Sequence, residues 1–148
     1  MKCTAWFLLL MLLCIPCSKG IEIDPLNFGI IVIPDNSKPH TLVLSANNTS
    51  RSDSLHIIQT GNPAKLLFEN LPARKQVFFS DNAAATRLTS PYTGNYFTID
   101  TLLYRNSVFT DEVGAVLLSV GAQISTSGNA MSYNDGAYSG LIEVTLSY

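Results

Sequence analysis

No window of this chain carries a sustained helical period with caps, and that absence constrains the fold more than any motif does. Short β-type runs recur instead, each closed by turn formers. Residues 28–33 are an apolar run ended by Pro34-Asp35-Asn36-Ser37. Residues 41–44 lead into the polar stretch Asn47-Asn48-Thr49-Ser50-Arg51-Ser52, and residues 55–58 end at Gly61-Asn62-Pro63. Residues 65–68 stop before Asn70-Leu71-Pro72, and residues 77–79 before Ser80-Asp81-Asn82. Residues 96–104 alternate polar and apolar, and residues 113–124 are largely apolar with Gly114 and Gly121 inside. In residues 111–118, the nearest approach to a helix, β-branching and glycine favour a strand. About seven to nine strands at a spacing of roughly 8–12 residues predict an all-β sandwich, read as one domain over residues 21–148.

The last strand is the clearest. After Gly136-Ala137-Tyr138-Ser139-Gly140, Ile142, Val144, Leu146 and Tyr148 fall on one side and Leu141, Glu143, Thr145 and Ser147 on the other. Strict alternation is the pattern of a half-buried strand. Its edges depend on which neighbours pair with it, and a neighbour can come from another protein.

The other end reads as a secretory leader. Lys2 supplies the positive start, residues 5–15 the apolar run, and Pro16, Ser18 and Gly20 the small or turn-prone residues before a cleavage point. Cleavage after Gly20 is expected, with Ser18 as the alternative, so residues 1–20 form a signal peptide. The run falls short of the roughly 20 apolar residues of a membrane span, and none is expected after processing. All three cysteines, Cys3, Cys14 and Cys17, lie in this segment. The 128 residues that remain of 148 therefore have no disulfide and rely on their core, despite an oxidising destination.

Without Lys2 and Lys19, seven basic residues face eleven acidic ones, a formal charge of −4. Arg74-Lys75 is the only adjacent basic pair, so no stripe exists for phosphate and nucleic acid is not an expected partner.

Catalytic and metal constellations are missing from the pattern. His40 and His56 are the only histidines, with no metal-ligand spacing. His56 sits between Leu55 and Ile57 and is expected to face away from them, exposed. Asp111-Glu112 cannot converge as an acid/base pair, because neighbours on a strand point to opposite faces, and it reads as a solvated turn. Asp24, Asp35, Asn36 and Asp135 are not spaced as a calcium loop. No serine stands in a nucleophile elbow and no Gly-rich phosphate loop occurs. A non-enzymatic protein without cofactor or metal is expected. Asn47 and Asn48 are overlapping glycosylation acceptors relevant only to a eukaryotic route; otherwise the stretch is a hairpin loop. Phe78, Phe79, Tyr92, Tyr96, Phe97 and Tyr104 line either a ligand surface or, more in keeping with strands, the core.

Three motifs in fixed order carry a resemblance. They are Leu26-Asn27-Phe28-Gly29-Ile30-Ile31; then Leu55 through Gly61-Asn62-Pro63 to Leu71-Pro72; then Leu118-Ser119-Val120-Gly121-Ala122 with Tyr138-Ser139-Gly140 running into Val144-Thr145-Leu146-Ser147-Tyr148. This order resembles the bacterial family of exported domains of unknown function DUF4402. The C-terminal pattern is similar to spore-coat-U-type and chaperone–usher pilin subunits. Phe28, Gly29, Gly61, Gly121, Tyr138 and Gly140 are the motif residues, with structural roles.

The resemblance implies an immunoglobulin-like, pilin-type sandwich in the periplasm or at the cell surface, assembled into a fimbrium or acting in adhesion. It implies a missing last strand, filled first by a periplasmic chaperone at an usher and then by an extension of the next subunit, which is β-augmentation. Ile142, Val144, Leu146 and Tyr148 are then the strand-pairing residues, and Ile21, Ile23 and Leu26 a short alternating set at the donor position. The alternative is a self-contained secreted sandwich that binds a carbohydrate or protein through its loops. A first strand over residues 21–33 paired beside Val144 favours the second; a bare apolar edge on the last strand favours the first. Cleavage after Gly20 predicts an exported protein whose N-terminal sequencing begins at Ile21; a sequence still starting at Met1 would refute the leader.

Overall fold

The structure is a computed structural model and describes residues 20–92 and 94–148. Residues 1–19 of the expected signal peptide, residues 1–20, lie outside the described residues, and Gly20 opens the first strand. Twelve strands and no helix are found among the described residues: β1 (Gly20–Asp24), β2 (Asn27–Val32), β3 (Thr41–Leu44), β4 (Ser50–Ser52), β5 (His56–Asn62), β6 (Ala64–Phe68), β7 (Gln76–Asp81), β8 (Arg87–Thr89), β9 (Tyr96–Leu103), β10 (Ser107–Phe109), β11 (Val116–Thr126) and β12 (Val144–Ser147). The all-β expectation holds. The count exceeds seven to nine because β1, β4, β8 and β10 are short edge strands of three to five residues. Runs that short leave little periodic signal.

Every ladder is antiparallel. Seven strands form the larger sheet, in the order β1-β6-β11-β3-β4 with β9 also on β11 and β8 on β9. The smaller sheets are β10-β7-β12 and the ribbon β2-β5. Along β11, Val116, Leu118, Val120, Ala122, Ile124 and Thr126 are buried on one face while the residues between are more exposed, except Gly121. Residues opposite each other in a ladder share a face. Leu42, Ile99 and Leu66 therefore lie on the buried face with Ile124 and Leu118. The smaller sheets cover this face: Val77 and Phe79 of β7 are buried, and Phe28, Ile31 and Ile57 of the ribbon pack against the core cluster. Phe68 meets Phe79 across the layers at 5.4 Å between ring centroids.

Two expected boundaries differ. Gly61-Asn62-Pro63 is not a turn after residue 58, since β5 runs through Asn62. A Cβ on Gly61 would stand 1.7 Å from the Asn27 carbonyl oxygen, so glycine serves the close approach of β2. Residues 113–115 are a turn rather than the start of β11. Asp111 Oδ1 accepts from the Val113 and Ala115 amides at 3.0 and 2.8 Å, and Gly114 takes φ 76. That carboxylate-capped turn outcompetes the β propensity of Val113.

The Tyr104 hydroxyl donates to Asp81 Oδ2 at 2.6 Å and ties the end of β9 to β7. Desolvation, then this bond, push the phenol up to about 12 from 10.0. Its contribution to stability is present below pH 10 and is lost as pH rises through about 12. Spectrophotometric titration should find one tyrosine ionising near pH 12, and Asp81→Asn should bring it down. Gly61→Ala should cost about 2 kcal/mol or more in urea unfolding. Gly94→Ala, with open space at its Cβ, should stay within about 0.5 kcal/mol.

Candidate functional site

β12 pairs through one edge only. Val144 to Ser147 lie opposite Asp81 to Phe78 of β7, and the Glu143 amide extends the contact by donating to Asn82 Oδ1 at 2.9 Å. No ladder occupies the other edge among the described residues. Ile142, Val144 and Leu146 are half-buried and pack on the core cluster. Tyr148 follows the strand and is 49% exposed, while Leu141 is 92% exposed.

The N-terminal segment does not fill that edge. Pro25-Leu26 divides it, so β1 pairs with β6 in the larger sheet and β2 with β5 in the ribbon. The single first strand beside Val144 that would complete the sandwich is absent from the described residues. The facing edge of β2 is likewise without a ladder, since β2 is bonded to β5 alone.

Between these strands lies a cleft of about 910 Å³. Residues 28–33 form one wall, residues 133–142 and Val144 the other. Leu88, Phe97, Ile99, Leu102, Val120 and Ile124 of the larger sheet form its floor. A second cleft of about 390 Å³ lies between Gly20 and Glu22 of β1 and residues 142–146, over Leu66 and Phe68. β1 thus faces residues 142–146 and β2 faces residues 133–141, so the N-terminal segment runs against the C-terminal one. Val144 and Ile142 line both clefts, as does Glu22.

Glu22 was not singled out by the sequence pattern. It lies opposite Leu66, which lies opposite Leu118, placing its side chain on the core-facing side of the sheet. Ile21, in register with Leu67 and Leu117, is turned outward and 48% exposed. β1 therefore presents its carboxylate to the apolar side and its isoleucines to solvent. The pairing slips at Ile23, between Glu22 and Asp24, and Asp24 then pairs outward with Lys65 Nζ at 3.1 Å.

Of the motif residues, Phe28, Gly29, Tyr138 and Gly140 line the large cleft, while Gly61 and Gly121 do not. Phe28 is half-buried on the core, and Gly29 takes φ 83 beside Gln59. A Cβ on Gly121 would meet the Leu44 carbonyl oxygen at 2.1 Å. Tyr138 stands edge-on to Phe97 at 5.2 Å, and a Cβ on Gly140 would lie 2.9 Å from the Arg87 carbonyl oxygen. Tyr133 donates to the Tyr96 carbonyl oxygen and accepts from the Ser127 amide at 2.9 Å.

Beyond the clefts, the buried Asn36 and Asn95 bind the loop after β11. The Asn36 amide donates to the Met131 carbonyl at 2.8 Å, and Asn129 donates to Asn95 Oδ1 at 2.9 Å. Pattern reasoning missed this network because its partners are 34–95 residues apart. His40 is buried, with Nδ1 3.6 Å from Asp53 Oδ1, and His56 is exposed. Glu112 pairs with Arg74 at 2.6 Å on the surface. Asn47 and Asn48 form the β3–β4 hairpin loop. Phe79 and Phe97 are core, Tyr96 and Tyr104 are half-buried, and Phe78 and Tyr92 are exposed at 49% and 83%. Among the described residues, no three histidines, cysteines or carboxylates gather as a metal site. Nor is any helix there long and apolar enough to cross a membrane.

No curated protein and no solved structure matches the sequence. One family model does, over residues 19–148, nearly all of the chain. The chain belongs to the family described as Domain of unknown function (DUF4402).

Proposed function

We propose that this protein is a non-enzymatic, exported surface subunit, structural or adhesive, that receives a β-strand from a partner between β2 and β12. The carrying observation is that β2 and β12 each keep an edge without a ladder among the described residues, and that both strands border a cleft floored by core side chains, β12 through Val144. A strand laid there bonds its main chain to both edges and buries alternate side chains over Ile99, Leu102 and Ile124. It would join the ribbon and the three-stranded sheet into one layer. The apolar leader residues support export; a periplasmic chaperone and other subunits are the partners that this reading names. A sandwich complete in itself, binding through its loops, has no comparable use for the two edges.

An intramolecular strand tests this. Extending the chain past Tyr148 by a flexible turn and an alternating Val/Thr strand should raise the thermal midpoint by roughly 10 °C or more, since each apolar side chain buried adds about 1.5–3 kcal/mol. Hydrogen exchange should show new protection at residues 28–32 and 142–147. An extension of the same composition without alternation should do neither. Equal effects from both, or none from either, would refute strand acceptance.

A further inference from the structure

We infer that the strand taken up by the cleft carries a basic side chain at the inward position facing Glu22 and comes from a protein other than this one; the inference rests on the strand-acceptor function proposed above. Three carboxylates, Glu22, Asp135 and Glu143, border the two clefts, and no Lys, Arg or His does among the described residues. None of the three has an ion-pair partner there, whereas Asp24 is already held by Lys65.

Glu22 decides the chemistry. It stands in the row Glu22–Leu66–Leu118, on the face that becomes the core once the cleft is covered. While the cleft is open, its carboxylate is solvated and exposed. A neutral occupant would cover it and strip that water with nothing in return, and an acidic one would add repulsion. An occupant with Lys or Arg at that point brings the opposite charge and a charge-assisted hydrogen bond into the same partly dry space.

The same balance disfavours a second copy. The exposed isoleucine-bearing segment Gly20-Ile21-Glu22-Ile23-Asp24 brings two further carboxylates and no basic side chain to a border already holding three. The C-terminal strand brings Glu143. The chain that fits is alternately apolar, basic once, and foreign.

Labelled peptides separate the possibilities by fluorescence anisotropy at low salt. Four are needed: a neutral alternating Val/Thr strand, the same strand with one inward Lys, the same with Glu there, and the chain's own residues 20–26. Neutral and Lys peptides should both bind, the Lys form about tenfold tighter. The preference should shrink in 0.5 M salt and vanish in Glu22→Gln, whose fold circular dichroism checks. Equal binding of Lys and Glu peptides, or a preference surviving in Glu22→Gln, overturns the basic occupant while strand acceptance stands. Binding of residues 20–26 as tight as the Lys peptide overturns the foreign source. Failure of every peptide, the neutral one included, overturns both strand acceptance and this inference.

Discussion

The eleven-residue ladder of β11 is the constraint on which the rest of the fold depends. Its first half pairs with β6, and through β6 holds β1; its second half is flanked by β3 on one edge and β9 on the other. Its alternation sets the inward face of three neighbouring strands, because cross-strand partners share a face. A slip of one residue in any of the three ladders would turn that neighbour's inward residue, Leu66, Leu42 or Ile99, to solvent. With no disulfide in the described chain, that shared register is what makes the core cooperative. Gly121 is the concession: β3 ends so close to β11 there that a side chain has no room.

The covering layer is less complete than the sheet it covers. A three-stranded sheet and a two-stranded ribbon lie on the apolar face, and the cleft falls between them. Ile99 and Ile124 are buried even so. Ribbons of two strands are marginal alone, so β2-β5 depends on Phe28, Ile31 and Ile57 reaching the core. The outward residues Ile30, Val32 and Ile58 remain 47–67% exposed. The molecule thus combines a well-determined sheet with a cover whose two parts are joined mainly through that sheet.

Much of this was legible in the order of residues. Eight of the twelve strands stand close to where alternation and turn formers indicated, and the half-burial of Ile142, Val144 and Leu146 follows their spacing. Exposed His56 and the Asp111-Glu112 turn were also readable. Gly61 misled because a Gly-Asn-Pro triplet looks the same whether it bends the chain or lets a neighbouring backbone approach. The cleft was legible only as a question, since a single strand shows its alternation and not its partners. Glu22 was invisible for a different reason. Ile-Glu-Ile reads as apolar-in and acid-out, and only pairing with Leu66 reveals the opposite. The asparagine network joins loops too distant in sequence for any local pattern.

The N-terminal and C-terminal walls of the cleft run in opposite directions, and this gives the gap a handedness. Any strand laid between them is antiparallel to one wall and parallel to the other. Antiparallel bonds are perpendicular to the strands and alternate in spacing, whereas parallel bonds are slanted and even. Reversing the inserted strand exchanges these two patterns and offsets its side chains against the floor. The cleft therefore distinguishes the head of a strand from its tail. A chain of molecules linked in this way would inherit a single arrow along its length, fixed by backbone geometry before any side chain is compared.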